Sequence, residues 1–96
     1  ANMAITLELY ELKNICKDMA ELGASNFYKK MAPGKDLISQ REAYSEYGEA
    51  RVKGWVKMEL VSKQRIGSAR NSKLLYSRAE LISAEKTDKL NYYINK

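Results

Sequence analysis

Ninety-six residues, 45% of them apolar and 30% charged, with a net charge of +5, make one small folded unit, too short for two cores and too apolar for a disordered chain. With no histidine and one cysteine, the commonest general base and metal ligand are missing, and an internal disulfide is impossible. No G-x-S-x-G or phosphate-cradling glycine loop takes their place, so neither catalysis nor a bound cofactor or metal is expected.

Charge is unevenly spread. Residues 1–49 carry six Lys and Arg against eight Asp and Glu, residues 79–96 carry three of each, and residues 50–78 carry eight against one. The whole excess sits in one block that also holds Val52, Trp55, Val56, Leu60, Val61, Ile66, Leu74 and Leu75. So apolar a block reads as a folded surface with a polyanionic partner, not as a solvated tail. No run approaches the roughly 18–20 apolar residues that cross a bilayer, so no membrane contact and a cytoplasmic location are expected.

Taken in chain order, Ile5, Leu9, Leu12, Cys16 and Met19 recur at a 4-3-4-3 spacing, which predicts an amphipathic helix with Thr6 as N-cap and Gly23 as its stop. The stripe suits either burial on its own domain or a seam with a second copy. So small a domain has little core to offer it, which favours a homodimer through these five residues. Cys16, on the stripe, is expected to be a buried, inert thiol. Ser25–Met31 reads as a short separate helix closed by Ala32-Pro33-Gly34.

Ser39-Gln40-Arg41-Glu42 is a capping box, so a helix starts at Gln40. Gly48 ends it, and Glu49 opens a second helix carrying Val52, Trp55 and Val56 toward the core. Two short helices about a glycine turn are the helix-turn-helix pattern. Leu60–Ile66 and Lys73–Tyr76 then read as the arms of a β-hairpin, and Ser77-Arg78-Ala79-Glu80 is a second capping box that opens a terminal helix.

From Leu37 to Leu81 these segments resemble the winged helix-turn-helix of the MerR and excisionase-like DNA-binding families. "ISQREAYSEYG" is similar to the first helix and turn, "VKGWVKMELV" to the second helix and its exit, and "RIGSARNSKLLYSRAEL" to the wing, returning strand and next helix start. Those families usually place a glycine before the first wing strand, where this chain has Met58-Glu59. The resemblance implies a mainly α fold with a small β-hairpin, that is, a winged helix-turn-helix, to which the amphipathic N-terminal helix, outside the resemblance, is an addition. Residues 1–36 form the helical arm, linker and dimerisation element, 37–84 the winged domain and 85–96 a continuation of the last helix.

The same resemblance implies double-stranded DNA as partner, with the second helix in the major groove and the wing on the backbone. Helical geometry turns Arg51, Lys53, Gly54 and Lys57 away from the core. Arg51 is the expected base reader, and Lys53 and Lys57 are expected phosphate contacts. Gly54 costs about 1 kcal/mol in a helix interior, and tight packing against a neighbouring helix is its leading explanation, ahead of close approach to DNA. In the wing, Arg65, Arg70 and Lys73 bring charge, and Ser68 and Asn71 bring small donors that phosphates accept from regardless of base sequence. The seven tyrosines form no stacking array of the kind single strands need, so a duplex is favoured. The expected function is sequence-specific duplex binding as a transcription regulator or excisionase-like factor. The alternative is a protein-interaction module that uses the same scaffold and the N-terminal helix.

Overall fold

The computed structural model describes residues 6–65 and 73–95. Its elements run α1 (Leu9–Met31), α2 (Pro33–Asp36), β1 (Leu37–Ser39), α3 (Gln40–Tyr47), α4 (Glu49–Lys57), β2 (Lys63–Arg65), β3 (Leu74–Ser77) and α5 (Arg78–Asn95). The chain is mainly helical, with one small antiparallel sheet.

The N-terminal helix departs from its expected limits. Glu8, not Thr6, is the N-cap of α1, with Glu11 accepting the Glu8 N–H at 3.0 Å. The helix runs straight through Gly23 and absorbs the separately expected Ser25–Met31 segment. A glycine costs a helix interior about 1 kcal/mol, which an uninterrupted helix packed along one face on α5 outweighs. Pro33 occupies the first turn of α2, where its missing N–H and preset φ are tolerated.

Leu37–Ser39, where the sequence pattern predicts no element, is a strand. It lies on one side of β3, with Leu37 opposite Ser77, Ile38 opposite Tyr76 and Ser39 opposite Leu75. On the other side Lys63 lies opposite Tyr76, Gln64 opposite Leu75 and Arg65 opposite Leu74, so the strand order is β1-β3-β2. The expected arms Leu60–Ile66 and Lys73–Tyr76 thus become Lys63–Arg65 and Leu74–Ser77, and Ile66 lies outside the described residues. Leu60 and Val61 are taken up instead by the exit from α4.

That exit is a Schellman turn. The Leu60 N–H bonds to the Trp55 carbonyl at 2.9 Å and the Glu59 N–H to the Val56 carbonyl at 3.1 Å, with Glu59 left-handed at φ 64°. The left-handed position of the turn, where glycine is the favoured residue, is therefore held here by a glutamate. A left-handed residue with a Cβ costs roughly 1–2 kcal/mol, part of which glycine returns through its freer unfolded chain. Glu59→Gly is accordingly expected to stabilise the fold by about 1 kcal/mol, read as a rise in Tm of about 4–8 °C in thermal unfolding.

The core gathers Ile38 from β1, Ala43 from α3, Val52 and Trp55 from α4, Val61, Tyr76 from β3, and Leu81 and Ala84 from α5. Trp55 is a core residue as expected. Its ring meets Tyr47 edge-on at 5.8 Å, and its Nε1 donates to the Asp88 carboxylate at 3.0 Å. α3 starts at Gln40 as the capping box requires, the Ser39 Oγ accepting the Glu42 N–H at 3.1 Å. Gly48, at φ 94°, both closes α3 and caps α4, a conformation that side chains with a Cβ rarely adopt.

The start of α5 has a cap beyond the expected serine box. Ser77 Oγ accepts the Glu80 N–H at 3.3 Å, and the buried Asp36 carboxylate accepts both the Ser77 hydroxyl and the Ala79 N–H, the latter at 3.0 Å. An anion at a helix N-terminus complements its exposed amides and dipole. Arg78 adds a forked pair of bonds to the Glu46 carboxylate at 2.7 and 3.2 Å, tying α3 to α5. Its guanidinium holds the Glu46 carboxyl below the usual carboxylate range.

α1 packs alongside α5, and the long dimension of the molecule, 51 Å against 28 and 26 Å, reflects this helical pair. Lys86 of α5 is 6% exposed and lies 3.2 Å from both Asp18 and Glu21 of α1. Burial opposes its charge, but the hydrogen bonds to Glu21 and Asp18 prevail and raise its pKa above the ordinary lysine value.

Candidate nucleic-acid interface

Several cations of the basic block are paired with acids. Arg51, expected to be the base reader, lies 3.7 Å from Asp88 of α5, with its guanidinium 4.9 Å from the centre of the Trp55 ring. Lys53 is 2.7 Å from Glu49 one turn earlier, a contact that raises its pKa. Arg78 is held by Glu46. Among the described residues, acids from outside the block thus engage Arg51, Lys53 and Arg78.

Lys57 and Lys63 have no ion pair among the described residues. Together with Lys53, Val56, Tyr44 and Tyr76 they line a cleft of about 300 Å³ between α4 and the β2–β3 pair. Lys53 and Lys57 stand one helical turn apart on α4, which puts both ammonium groups on the same side. Lys63 lies across the sheet from Tyr76, so its side chain overhangs the same face. As a residue of an edge strand, it also discourages pairing with another strand there.

The floor of the cleft is polar and ordered. The Gln40 side-chain amide donates to the Tyr44 hydroxyl at 2.9 Å and to the Tyr76 hydroxyl at 3.0 Å. Burial, assisted by its hydrogen bond to Tyr76, raises the Tyr44 pKa, so the hydroxyl keeps its proton. Three ammonium groups around two phenol hydroxyls favour a multiply charged anion.

Gly54 corrects one expectation. A Cβ built at this position meets nothing within 4 Å, so intramolecular packing does not account for the glycine. Ala50 and Gly54 instead make a shallow strip along the outer side of α4, flanked by Lys53 and Lys57. Among the other expected contacts, Arg65 is exposed on β2 and Lys73 is exposed just before β3, whereas Ser68, Arg70 and Asn71 lie outside the described residues.

Lys63, Gln40, Tyr44 and Tyr76 are not among the site residues expected from the sequence. The block charge points to Lys63, but only the strand register brings it beside α4. Nothing in the sequence signals that Gln40, at the start of one helix, bridges two tyrosines 32 positions apart.

The expected dimerisation stripe lies elsewhere. Leu9, Leu12, Cys16 and Met19 all face solvent, and Ile5 lies outside the described residues. The expectation that Cys16 is buried is therefore wrong. α1 turns a different face to α5, the one holding Glu11, Ile15, Asp18 and Leu22, where Lys86 pairs with the largely buried Asp18 and with Glu21 at the exposed edge.

Among the described residues no helix is long and apolar enough to cross a membrane, and no group of His, Cys, Asp or Glu could hold a metal ion. No family model, curated protein or solved structure matches the chain.

Proposed function

We propose that the chain binds double-stranded DNA through a winged helix-turn-helix, α3 and α4 being the two helices and the β2–β3 pair the wing. It acts without catalysis, as a regulator or excisionase-like factor, with a second copy of the chain as a further partner. The observation that carries this reading is the cationic cleft between α4 and β2, beside an outer helical face kept shallow by Ala50 and Gly54. A recognition helix must approach the groove closely while cations at its edge reach phosphates, and this arrangement supplies both. Lys53, Lys57 and Lys63 serve as phosphate contacts. Arg51 reads base edges only by exchanging Asp88 for a guanine, so its contribution is smaller than its charge suggests.

The test is fluorescence anisotropy of a labelled duplex titrated with the protein and with Gly54→Leu. Binding is expected to weaken steeply as salt rises. Gly54→Leu is expected to stabilise the fold by about 0.5–1 kcal/mol yet weaken duplex binding by about tenfold, equivalent to ~1.4 kcal/mol. Full affinity in the more stable variant would remove α4 from the interface, and equal binding to an acidic protein and to a duplex would favour the interaction-module reading.

A further inference from the structure

The exposed stripe of α1 is an apolar face with no cover in the monomer: Leu9 is 83% exposed, Leu12 47% and Met19 43%, and Cys16 is exposed beside them. Leu9 and Cys16 fall at the a positions of a heptad, and Leu12 and Met19 at the d positions. This seam lies about a third of the way round α1 from the side that packs on α5, so a second helix fits against it without displacing the first.

We propose that a second copy of this chain covers the stripe by pairing α1 with α1 in parallel and in register. The flanking positions select the partner and its direction. In a parallel pair each g residue meets the e residue five positions further along the partner helix. Glu8, the N-cap, then lies nearest Lys13, and the half-buried Ile15 and Leu22, at the border with α5, extend toward Ala20 and Phe27, each pair occurring twice by symmetry. One opposite-charge pair and two apolar pairs result, and Phe27, 65% exposed in the monomer, gains a cover. An antiparallel pair centred on the stripe would instead set Lys13 against its own copy, which is repulsive. The seam spans about two heptads and ends where Gly23 and Asn26 occupy the next a and d positions, so association in the micromolar range is expected.

The direction matters for the reading proposed above, on which this consequence alone rests. α4 meets α5 at Asp88, and the lysines on either side of that level, Lys86 and Lys89, reach Asp18 near the middle of α1. Parallel pairing about an axis along α1 therefore keeps both α4 helices at one level along the dimer, where one duplex with two related half-sites can meet them. Antiparallel pairing would turn one α4 end over end relative to the other.

Sedimentation equilibrium at increasing micromolar concentration is expected to show twice the 11.0 kDa chain mass. Leu12→Glu, at an exposed position, is expected to remain monomeric with unchanged circular dichroism and thermal unfolding. Orientation is read by single-cysteine cross-linking in a Cys16→Ser background with Leu9→Cys or Met19→Cys. Under diamide, two facing thiols lose two protons and two electrons, form a disulfide and reduce the diamide to its hydrazine. A parallel seam links each variant to its own copy. A monomer mass for the unaltered chain, or cross-linking absent at either position, overturns the proposal. Duplex binding by monomeric Leu12→Glu, weakened but still salt-dependent, reports on the DNA reading separately.

Discussion

Replacing Lys53, Lys57 and Lys63 together by alanine is expected to lower affinity for a duplex on the order of 10²-fold near 0.1 M salt, and to flatten the slope of log K against log salt by about 2, the unpaired Lys57 and Lys63 contributing about 0.9 each and Lys53 less because Glu49 already offsets part of its charge. The size comes from counterion release: each phosphate neutralised by a protein cation frees about 0.9 of a condensed ion, and the gain per contact grows as bulk salt falls. All three lysines are exposed, and none belongs to the core. The triple variant should therefore unfold at nearly the same temperature, which separates lost binding from lost structure. Arg51→Ala should do less to the salt slope, because Asp88 already offsets much of that charge in the free protein. Titrations across a salt series with one random duplex decide the matter. An unchanged slope would show that the anion-binding surface lies away from this cleft.

The largest effect on the fold is expected at Asp36. Its carboxylate accepts the Ser77 hydroxyl and the Ala79 N–H at the start of α5, from a position 2% exposed to solvent. Asp36→Ala removes a charged acceptor and leaves two donors buried without a partner. Hydrogen bonds to charged groups contribute about 1.5–3 kcal/mol each, and an orphaned buried donor costs a further 1–3 kcal/mol. Part of that is recovered when water reaches the site, so a net loss of about 3 kcal/mol is expected, a large share of the roughly 5–15 kcal/mol available to a small domain. In thermal unfolding this corresponds to a fall in Tm of about 10–20 °C. Asp36→Asn keeps an oxygen for the Ala79 N–H and should recover about half of the loss. If Asp36→Ala unfolds at the original temperature, the contact is not what holds α5 to the sheet.

The C-terminal end of α4 illustrates how far residue preference sets a turn. Glycine is the residue favoured in the left-handed position and glutamate stands there instead, yet the backbone turns left-handed all the same. The Schellman hydrogen bonds and the burial of Val61 just beyond them outweigh the strain at Glu59. Turn geometry here is set by those longer-range gains, and residue preference only alters its cost.

The features legible in the sequence alone share one property: each signal depends on residues within about one helical turn. Ser39 and Glu42 specify where α3 begins, Gly48 where it gives way to α4, and Ser77 with Glu80 where α5 begins, because a cap is satisfied by amides two or three positions away. The inward side of α4 is likewise legible from Val52, Trp55 and Val56. Local signals mislead where a longer-range gain opposes them. Gly23 predicts a stop, but packing on α5 carries α1 through it, and three-residue β1 is too short to display an alternation. Only the tertiary structure decided the rest. It set Asp36 against a helix start 41 residues away, gathered Lys63 with Lys53 and Lys57, engaged Arg51 with Asp88, and left the α1 stripe outward while pairing Asp18 and Glu21 with Lys86. Composition counts charges and periodicity orders them along one element. Which charges meet acids and which remain for a ligand depends on contacts between elements distant in the chain, and these are specified only when the core closes.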